Sequence, residues 1–160
     1  MSDTPLQSSV SRLMQRGLHT YWRFSRGLTL GVRGIVRDRD NRVFLIRHTY
    51  VPGWHLPGGG VETGETALEA LGRELREEAC IRIDEAPQLC GVYFNAKVSR
   101  RDHVLVYLVQ DYTVLGPKQP DREIADAGFF PLDALPDGTT QATRRRLAEA
   151  FQGAPLAQTW

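Results

Sequence analysis

The chain has 160 residues, 41% of them hydrophobic and 24% charged, which is a globular composition sized for one domain and excludes collagen-like, disordered and disulfide-scaffold classes. Lys and Arg number 20 against 19 Asp and Glu, a net charge of +1 that excludes a globally basic nucleic-acid coat, and no run of 18 apolar residues offers a membrane span. The charge is unevenly spread: residues 1–50 hold nine Arg against three Asp, and the remainder is net acidic.

Residues 5–24 are predicted to form an amphipathic helix, because Leu6, Val10, Leu13, Met14, Gly17, Leu18 and Tyr21 recur at three- and four-residue steps. Its expected use is docking on the domain or on a second copy of the chain, a homodimer; its basic character leaves membrane-surface binding as the alternative. Thr29–Val36 and Val43–Arg47 are predicted strands around the turn Asp38-Arg39-Asp40-Asn41, and are expected to pair as a hairpin. A Gly/Pro-rich loop, Val51–Gly60, leads into a helix over Ala67–Ala79, announced by the capping-box pair Thr66 and Glu69. Further strands are predicted over Gln88–Phe94, His103–Tyr112 and Ala127–Leu132, with a loop at Gly116–Asp121. A last helix is expected over Thr140–Phe151, and the tail from Gly153 is expected to be loose. Strands and helices interleave without regular βαβ alternation, which points to an α/β (α+β) chain with a mixed sheet and helices on its faces. The domain is expected to occupy residues 27–153, between an N-terminal extension (1–26) and a C-terminal tail (154–160). Two cysteines, Cys80 and Cys90, form no zinc spacing or disulfide framework, and no secretory signal pattern is present, so a cytoplasmic location is expected.

The chemistry concentrates in Gly58–Ile81, GGGVETGETALEALGRELREEACI. At 100° per residue, Leu68, Leu71 and Leu75 fall within an arc of about 60°, the expected core stripe, and Glu74, Glu77 and Glu78 share an adjoining arc of about 100°. Like-charged neighbours at three- and four-residue spacing each cost roughly 0.2–0.5 kcal/mol on an exposed helix, and more when half buried. A divalent cation removes that conflict, since hard oxygen donors suit Mg²⁺ and Mn²⁺. The alternative is a solvated acidic face neutralised by Arg73 and Arg76. The glycines ahead of the helix allow close backbone approach, so the Gly58 carbonyl is a candidate for the same metal.

This segment resembles the Nudix box, G-x5-E-x7-R-E-U-x-E-E-x-G-U, with U a bulky aliphatic residue. Gly59 opens it; Glu65, Arg73-Glu74-Leu75, Glu77-Glu78 and Ile81 follow in register, and Cys80 replaces the second glycine. The resemblance implies a Nudix-type α/β/α sandwich and a Mg²⁺-dependent hydrolase (Mn²⁺ being the alternative) that cleaves a nucleoside diphosphate linked to another moiety. It implies Glu74, Glu77 and Glu78 as metal ligands and catalytic groups, Arg73 as the partner that positions a glutamate, and Glu65 as an accessory acid. A further acid from a later loop often serves such enzymes, and Glu123 is the first candidate here, ahead of Asp121 and Asp126. Cys80 puts the helix end in question rather than the catalysis.

Arg47, His48, His55, Tyr50 and Arg33 are the candidate substrate contacts, followed by Arg37; Tyr93 and Phe94 are further aromatic candidates, whereas Trp54 is expected to be core. The expected partner is a nucleotide-containing small molecule, with neither nucleic acid nor membrane expected. NDP-sugars and related compounds come first. Nucleoside triphosphate sanitation and RNA 5′-end processing follow, with a non-catalytic nucleotide sensor as the reading from another class. The proline typical of ADP-sugar members is absent around Asn95-Ala96-Lys97, and the added motifs of NADH and coenzyme A pyrophosphatases are not seen.

Overall fold

The structure, a computed structural model, describes Tyr21 and residues 26–160. The helix predicted over residues 5–24 falls, Tyr21 apart, outside the described residues. Within them the order is β1 (Thr29–Val36), β2 (Arg42–His48), β3 (Trp54–His55), α1 (Ala67–Ala79), β4 (Ile81–Ile83), β5 (Gln88–Phe94), β6 (Asp102–Val109), β7 (Tyr112–Val114), β8 (Ile124–Pro131) and α2 (Gln141–Phe151).

Strand alternation sorts the apolar side chains into two cores. Val32, Val36, Phe44, Ile46, Tyr107 and Val109 face Leu71, Leu75 and Ala79 of α1. Ile35, Val43, Leu45, Val104 and Val106 face the other way, with Trp54, Tyr93 and Leu147 of α2. Each fully buried Leu, Ile or Val contributes about 1.5–3 kcal/mol of transfer free energy. The result is the expected helix–sheet–helix arrangement with mixed pairing: β1 runs parallel to β6 and β5 antiparallel to it, while β2 lies antiparallel between β3 and β8. A separate ladder joins β4 and β7.

The expected β1–β2 hairpin is not formed. Its turn is present, with Asn41 at φ 58° and the Asp38 carboxylate accepting from the Asp40 and Arg42 amides. Only the bridge Arg37–Val43 joins the two strands, however. The reason lies on the edge of β1 away from β6, where the glycine loop is laid along the strand. The Val32 amide donates to the Gly59 carbonyl at 2.8 Å, Gly34 to Pro57 at 2.9 Å, and Val61 to Leu30 at 2.8 Å. β2 is thereby displaced into the second sheet.

Other boundaries also differ. The strand expected over His103–Tyr112 breaks at Gln110–Asp111, and β8 begins three residues before its expected start. Leu68, expected in the core, is exposed, because β1 meets the helix one turn later, where Gly34 faces Leu71 and Leu75. The tail is docked rather than loose. Phe94 donates its amide to Gln158 and accepts from that of Trp160 at 3.0 Å. The buried Arg146 guanidinium donates to the Thr159 carbonyl and pairs with Glu149 at 2.7 Å, lying 3.8 Å from the Tyr93 ring centroid. A buried cation needs such partners, and the tail supplies one.

Candidate active site

The site begins with the start of α1. Thr66 accepts from the Glu69 amide while the Glu69 carboxylate accepts from the Thr66 amide at 2.8 Å, a complete capping box. The loop ahead of it is wedged between β1 and α1. Gly58 sits at φ +138°, and a Cβ there would come 2.1 Å from the Val32 carbonyl oxygen. At Gly59 the restriction is space: a Cβ would lie 2.2 Å from Glu74 Oε1. Gly58 is therefore required by close approach to backbone, whereas a side chain at Gly59 would displace the Glu74 carboxylate.

Glu78 takes a core position on α1. Its carboxylate is buried and accepts from the Gly58 amide at 2.6 Å. Burial raises its pKa to about 7; the Gly58 hydrogen bond and the Arg33 charge oppose the rise, and Glu74 and Glu123 add to it. Arg33, on β1, donates to the carbonyl oxygens of Gly58 and of Leu56 (3.2 Å), so it fastens the loop from below. Burial lowers the pKa of its guanidinium, with Glu78 and Glu74 acting to raise it.

Arg73 organises the other acids. It donates to both oxygens of Glu65 at 3.0 and 3.1 Å, to Glu74 Oε1 at 2.7 Å and to the Gly60 carbonyl at 3.1 Å, and lies 3.5 Å from Glu77. Its hydrogen bonds to Glu65 and then to Glu74 raise its pKa further above the ordinary arginine range, and the contact with Glu65 lowers the pKa of that carboxylate. Glu77 is exposed.

Glu123 joins this group from the segment before β8. Its carbonyl accepts from the Thr49 amide at 2.9 Å, which ties it to the end of β2, and its charge acts on Glu78 and Tyr50. The neighbouring acids are otherwise engaged. Asp121 accepts from the Glu123 and Ile124 amides and pairs with Lys118; these contacts, that of Ile124 foremost, hold its pKa down at about 2. Asp126 pairs with Arg47 at 3.5 Å.

His48 lies 4.0 Å from Glu78 and packs, with its ring tilted, between Tyr50 and His55, at centroid distances of 5.0 and 5.6 Å. Burial lowers the pKa of both histidines, so each favours its neutral form. Arg47 is not brought to this cluster. As the strand neighbour of His48 it faces the opposite side, over Trp54 and beside Asp126. Arg37 likewise turns away, lying over the Phe151 ring. Trp54 and Tyr93 are core, as expected for Trp54. Lys118 was not anticipated: its ammonium donates to the Glu77 carbonyl at 2.7 Å and pairs with Asp121, pinning the Glu123 segment to the end of α1. Its signal is a lysine three residues before Asp121 in a stretch with few cations.

The donors suit a hard divalent cation: three carboxylates on one helical edge, one of them buried, beside a loop whose glycines leave room for Glu74. As the side chains stand, no three His, Cys, Asp or Glu among the described residues converge tightly enough to enclose an ion. Glu74 and Glu77 are turned to Arg73, and the Gly58 carbonyl to Arg33. No helix among the described residues is long and apolar enough to cross a membrane.

The NUDIX domain family model matches residues 27–151. The chain is 34% identical over 110 residues to the ADP-ribose pyrophosphatase of Methanocaldococcus jannaschii, covering 67% of this chain and 64% of that protein, so it spans just under two thirds of that relative's length. The MutT NUDIX hydrolase of Burkholderia pseudomallei superposes with a TM-score of 0.61 at 31% identity, over 74% of this chain and 95% of that one. The structure of an ADP-ribose pyrophosphatase from Streptococcus suis gives 0.60 at 25% identity, over 82% and 96%. A match running from residue 27 to residue 151, on a chain whose boxed glycines and glutamates pack together in space, places this protein in the Nudix hydrolase family.

Proposed function

We propose that this protein hydrolyses the diphosphate linkage of a nucleoside diphosphate joined to another moiety, in a reaction dependent on Mg²⁺ or Mn²⁺. The observation that carries the reading is the packing of Glu74 and Glu78 against a loop shaped by Gly58 and Gly59, with the exposed Glu77 on the same edge of α1. Glu74, Glu77, Glu78 and the Gly58 carbonyl would hold the metal. A bound dication supplies Lewis-acid polarisation of phosphate oxygens and acidifies water. Arg73 fixes Glu74 against the loop, and Arg33 holds the Gly58 carbonyl in place. Glu123 takes the proton from the attacking water as its oxygen bonds to phosphorus and the P–O bond to the second phosphate breaks. His48, His55 and Tyr50 pack side by side beside Glu78 and would bind substrate as neutral donors and an aromatic face.

Relatives named as ADP-ribose pyrophosphatases, one archaeal and one streptococcal, support an NDP-sugar as substrate. Similarity to the Burkholderia MutT protein supports a second reading, a (d)NTP pyrophosphohydrolase. The test is a hydrolysis screen over NDP-sugars, dinucleoside polyphosphates and (d)NTPs with Mg²⁺ or Mn²⁺ and product identification, run beside Glu77→Gln. Turnover by the native chain that is lost in E77Q while nucleotide affinity persists is the expected result. Binding without turnover by the native chain on any compound would instead indicate a sensor.

A further inference from the structure

Glu123 stands in the segment between β7 and β8, outside the helix that carries Glu74, Glu77 and Glu78. Its backbone is nevertheless held from two directions. Toward β2, the Thr49 amide donates to the Glu123 carbonyl at 2.9 Å and the Thr49 hydroxyl to the Arg122 carbonyl at 2.7 Å. Toward α1, the Asp121 carboxylate gathers the turn. Its Oδ1 accepts from the Glu123 and Ile124 amides at 2.9 and 2.8 Å, and the Asp121 amide donates to the Ile124 carbonyl at 2.9 Å. Asp121 Oδ2 pairs with the Lys118 ammonium, which also donates to the Glu77 carbonyl at 2.7 Å. One side chain thus joins the turn of Glu123 to the end of α1.

The Glu77 carbonyl is among the last four of α1, which a helix leaves without internal donors, and it lies at the negative end of the helix dipole. Capping it would not require a carboxylate from the Glu123 turn, and neutralising Asp121 would not require a lysine drawn out of water. Lys118 does both with a side chain only 10% exposed, a burial that an ammonium tolerates when acceptors and a counter-charge meet it. It reaches Glu77 through the main chain and Glu123 through Asp121. We propose that Lys118 is a positioning residue for the hydrolysis, setting where the Glu123 carboxylate stands relative to the acidic edge of α1. This rests on the reading of Glu123 as the group that takes the proton from water. A misplacement of about 1 Å between reacting groups costs on the order of 100-fold in rate, so loss of the tie reads out in kcat rather than in KM.

The test uses Lys118→Met, which keeps the reach of the side chain and removes its donors, alone and combined with Glu123→Gln. In metal-free protein, amide hydrogen exchange followed by NMR should quicken at Glu123 and Ile124 in K118M by about tenfold, the ratio expected of one lost hydrogen bond, and stay unchanged at Leu75 within α1. With Mg²⁺, on whichever diphosphate compound the screen identifies, K118M should lower kcat about 10–100-fold, with KM and calorimetric Mn²⁺ affinity within about twofold of native. In the E123Q background the same substitution should cost nothing further, because the group it positions is already gone. Asp121→Asn keeps the acceptor for both amides and loses the ion pair; it should act in the same direction more weakly, and it takes the place of K118M throughout should that variant not fold. Unchanged exchange at Glu123 and Ile124, a fall in Mn²⁺ affinity, or a kcat loss undiminished in E123Q would leave Lys118 a cap on α1 and overturn the inference. An impaired E123Q beside a fully active K118M removes the inference alone, whereas native kcat in E123Q removes the proton-acceptor reading and the inference with it. Absence of turnover by the native chain removes the hydrolase reading, and the exchange rates still decide whether Lys118 holds the Glu123 turn.

Discussion

The backbone amide of Gly58 donates to the Glu78 carboxylate at 2.6 Å, joining the glycine loop to α1 across 20 residues of chain. That bond and the Arg33 charge only partly offset the burial of Glu78, whose pKa rises from 4.5 to about 7. The folded chain therefore holds this proton more tightly than the unfolded chain. The associated stability is fully present below about pH 4.5 and is lost as pH climbs through about 7. Glu78→Gln keeps an acceptor for Gly58 and removes the ionisation. In chelator, E78Q should raise Tm at pH 8, by the equivalent of roughly 2–3 kcal/mol, and change it little at pH 5. Thermal melts at the two pH values check this, and an equal gain at both would show that the buried acid does not ionise at pH 8. Mg²⁺ should raise Tm of the native chain at pH 8 more than that of E78Q.

Gly59 and Glu74 share one volume: a methyl group on Gly59 would stand 2.2 Å from Glu74 Oε1. Gly59→Ala adds no backbone strain, since its φ is not in the left-handed region, so its effect isolates displacement of the carboxylate. The obstacle is the far end of a flexible side chain, so the carboxylate can swing aside at little cost to the fold. G59A should retain its fold with Tm little changed, and lose roughly 10–100-fold in metal-dependent kcat, as expected when a ligand shell is shifted. Circular dichroism with steady-state kinetics measures both, and full activity in G59A would mean that Glu74 need not hold its place.

What was legible in the sequence was local. Thr66 and Glu69 announce the start of α1 within one turn, and the spacing of Arg73, Glu74, Glu77 and Glu78 fixes their common edge. Partners far along the chain were hidden. The parallel pairing of β1 with β6 matches Thr29 to Asp102, and the edge left over is filled by the loop at Pro57–Gly59, so a good turn at Asp38–Asn41 makes no hairpin. Arg47 and His48 look equivalent as neighbours at a strand end, yet alternation sends one to Trp54 and the other to Glu78. Docking of the tail depends on a buried Arg146, which reads in the sequence as one of three consecutive surface arginines.

Arg73 reaches Glu65 through two parallel hydrogen bonds and Glu74 through a third, a fork that lysine does not reproduce. The side chain is partly exposed, so the ion pairs themselves contribute little to stability, about 1 kcal/mol or less. Arg73→Lys should therefore shift Tm only slightly while lowering kcat about tenfold with KM nearly unchanged, because Glu74 loses its orientation rather than its charge. Kinetics on whichever diphosphate the screen identifies, beside a melting curve, separate these effects. A rise in KM at constant kcat would make Arg73 a substrate contact instead.

Cys80 closes α1 in the left-handed conformation, φ 53° and ψ 39°, its amide donating to the Leu75 carbonyl. The box places glycine at this position, and the backbone has kept the geometry glycine would adopt although a side chain now occupies it. A left-handed residue bearing a Cβ costs about 1–2 kcal/mol, and glycine's greater freedom in the unfolded chain returns about 0.5–1 kcal/mol of that. The Cys80 carbonyl, which accepts from Leu115 at 2.8 Å, is unaffected by the exchange. Cys80→Gly should accordingly stabilise the fold by about 0.5–1 kcal/mol and leave kcat and KM within twofold of native. Urea unfolding monitored by tryptophan fluorescence resolves a change of that size. If C80G is less stable than the native chain, the thiol contributes packing that outweighs the strain at the helix end.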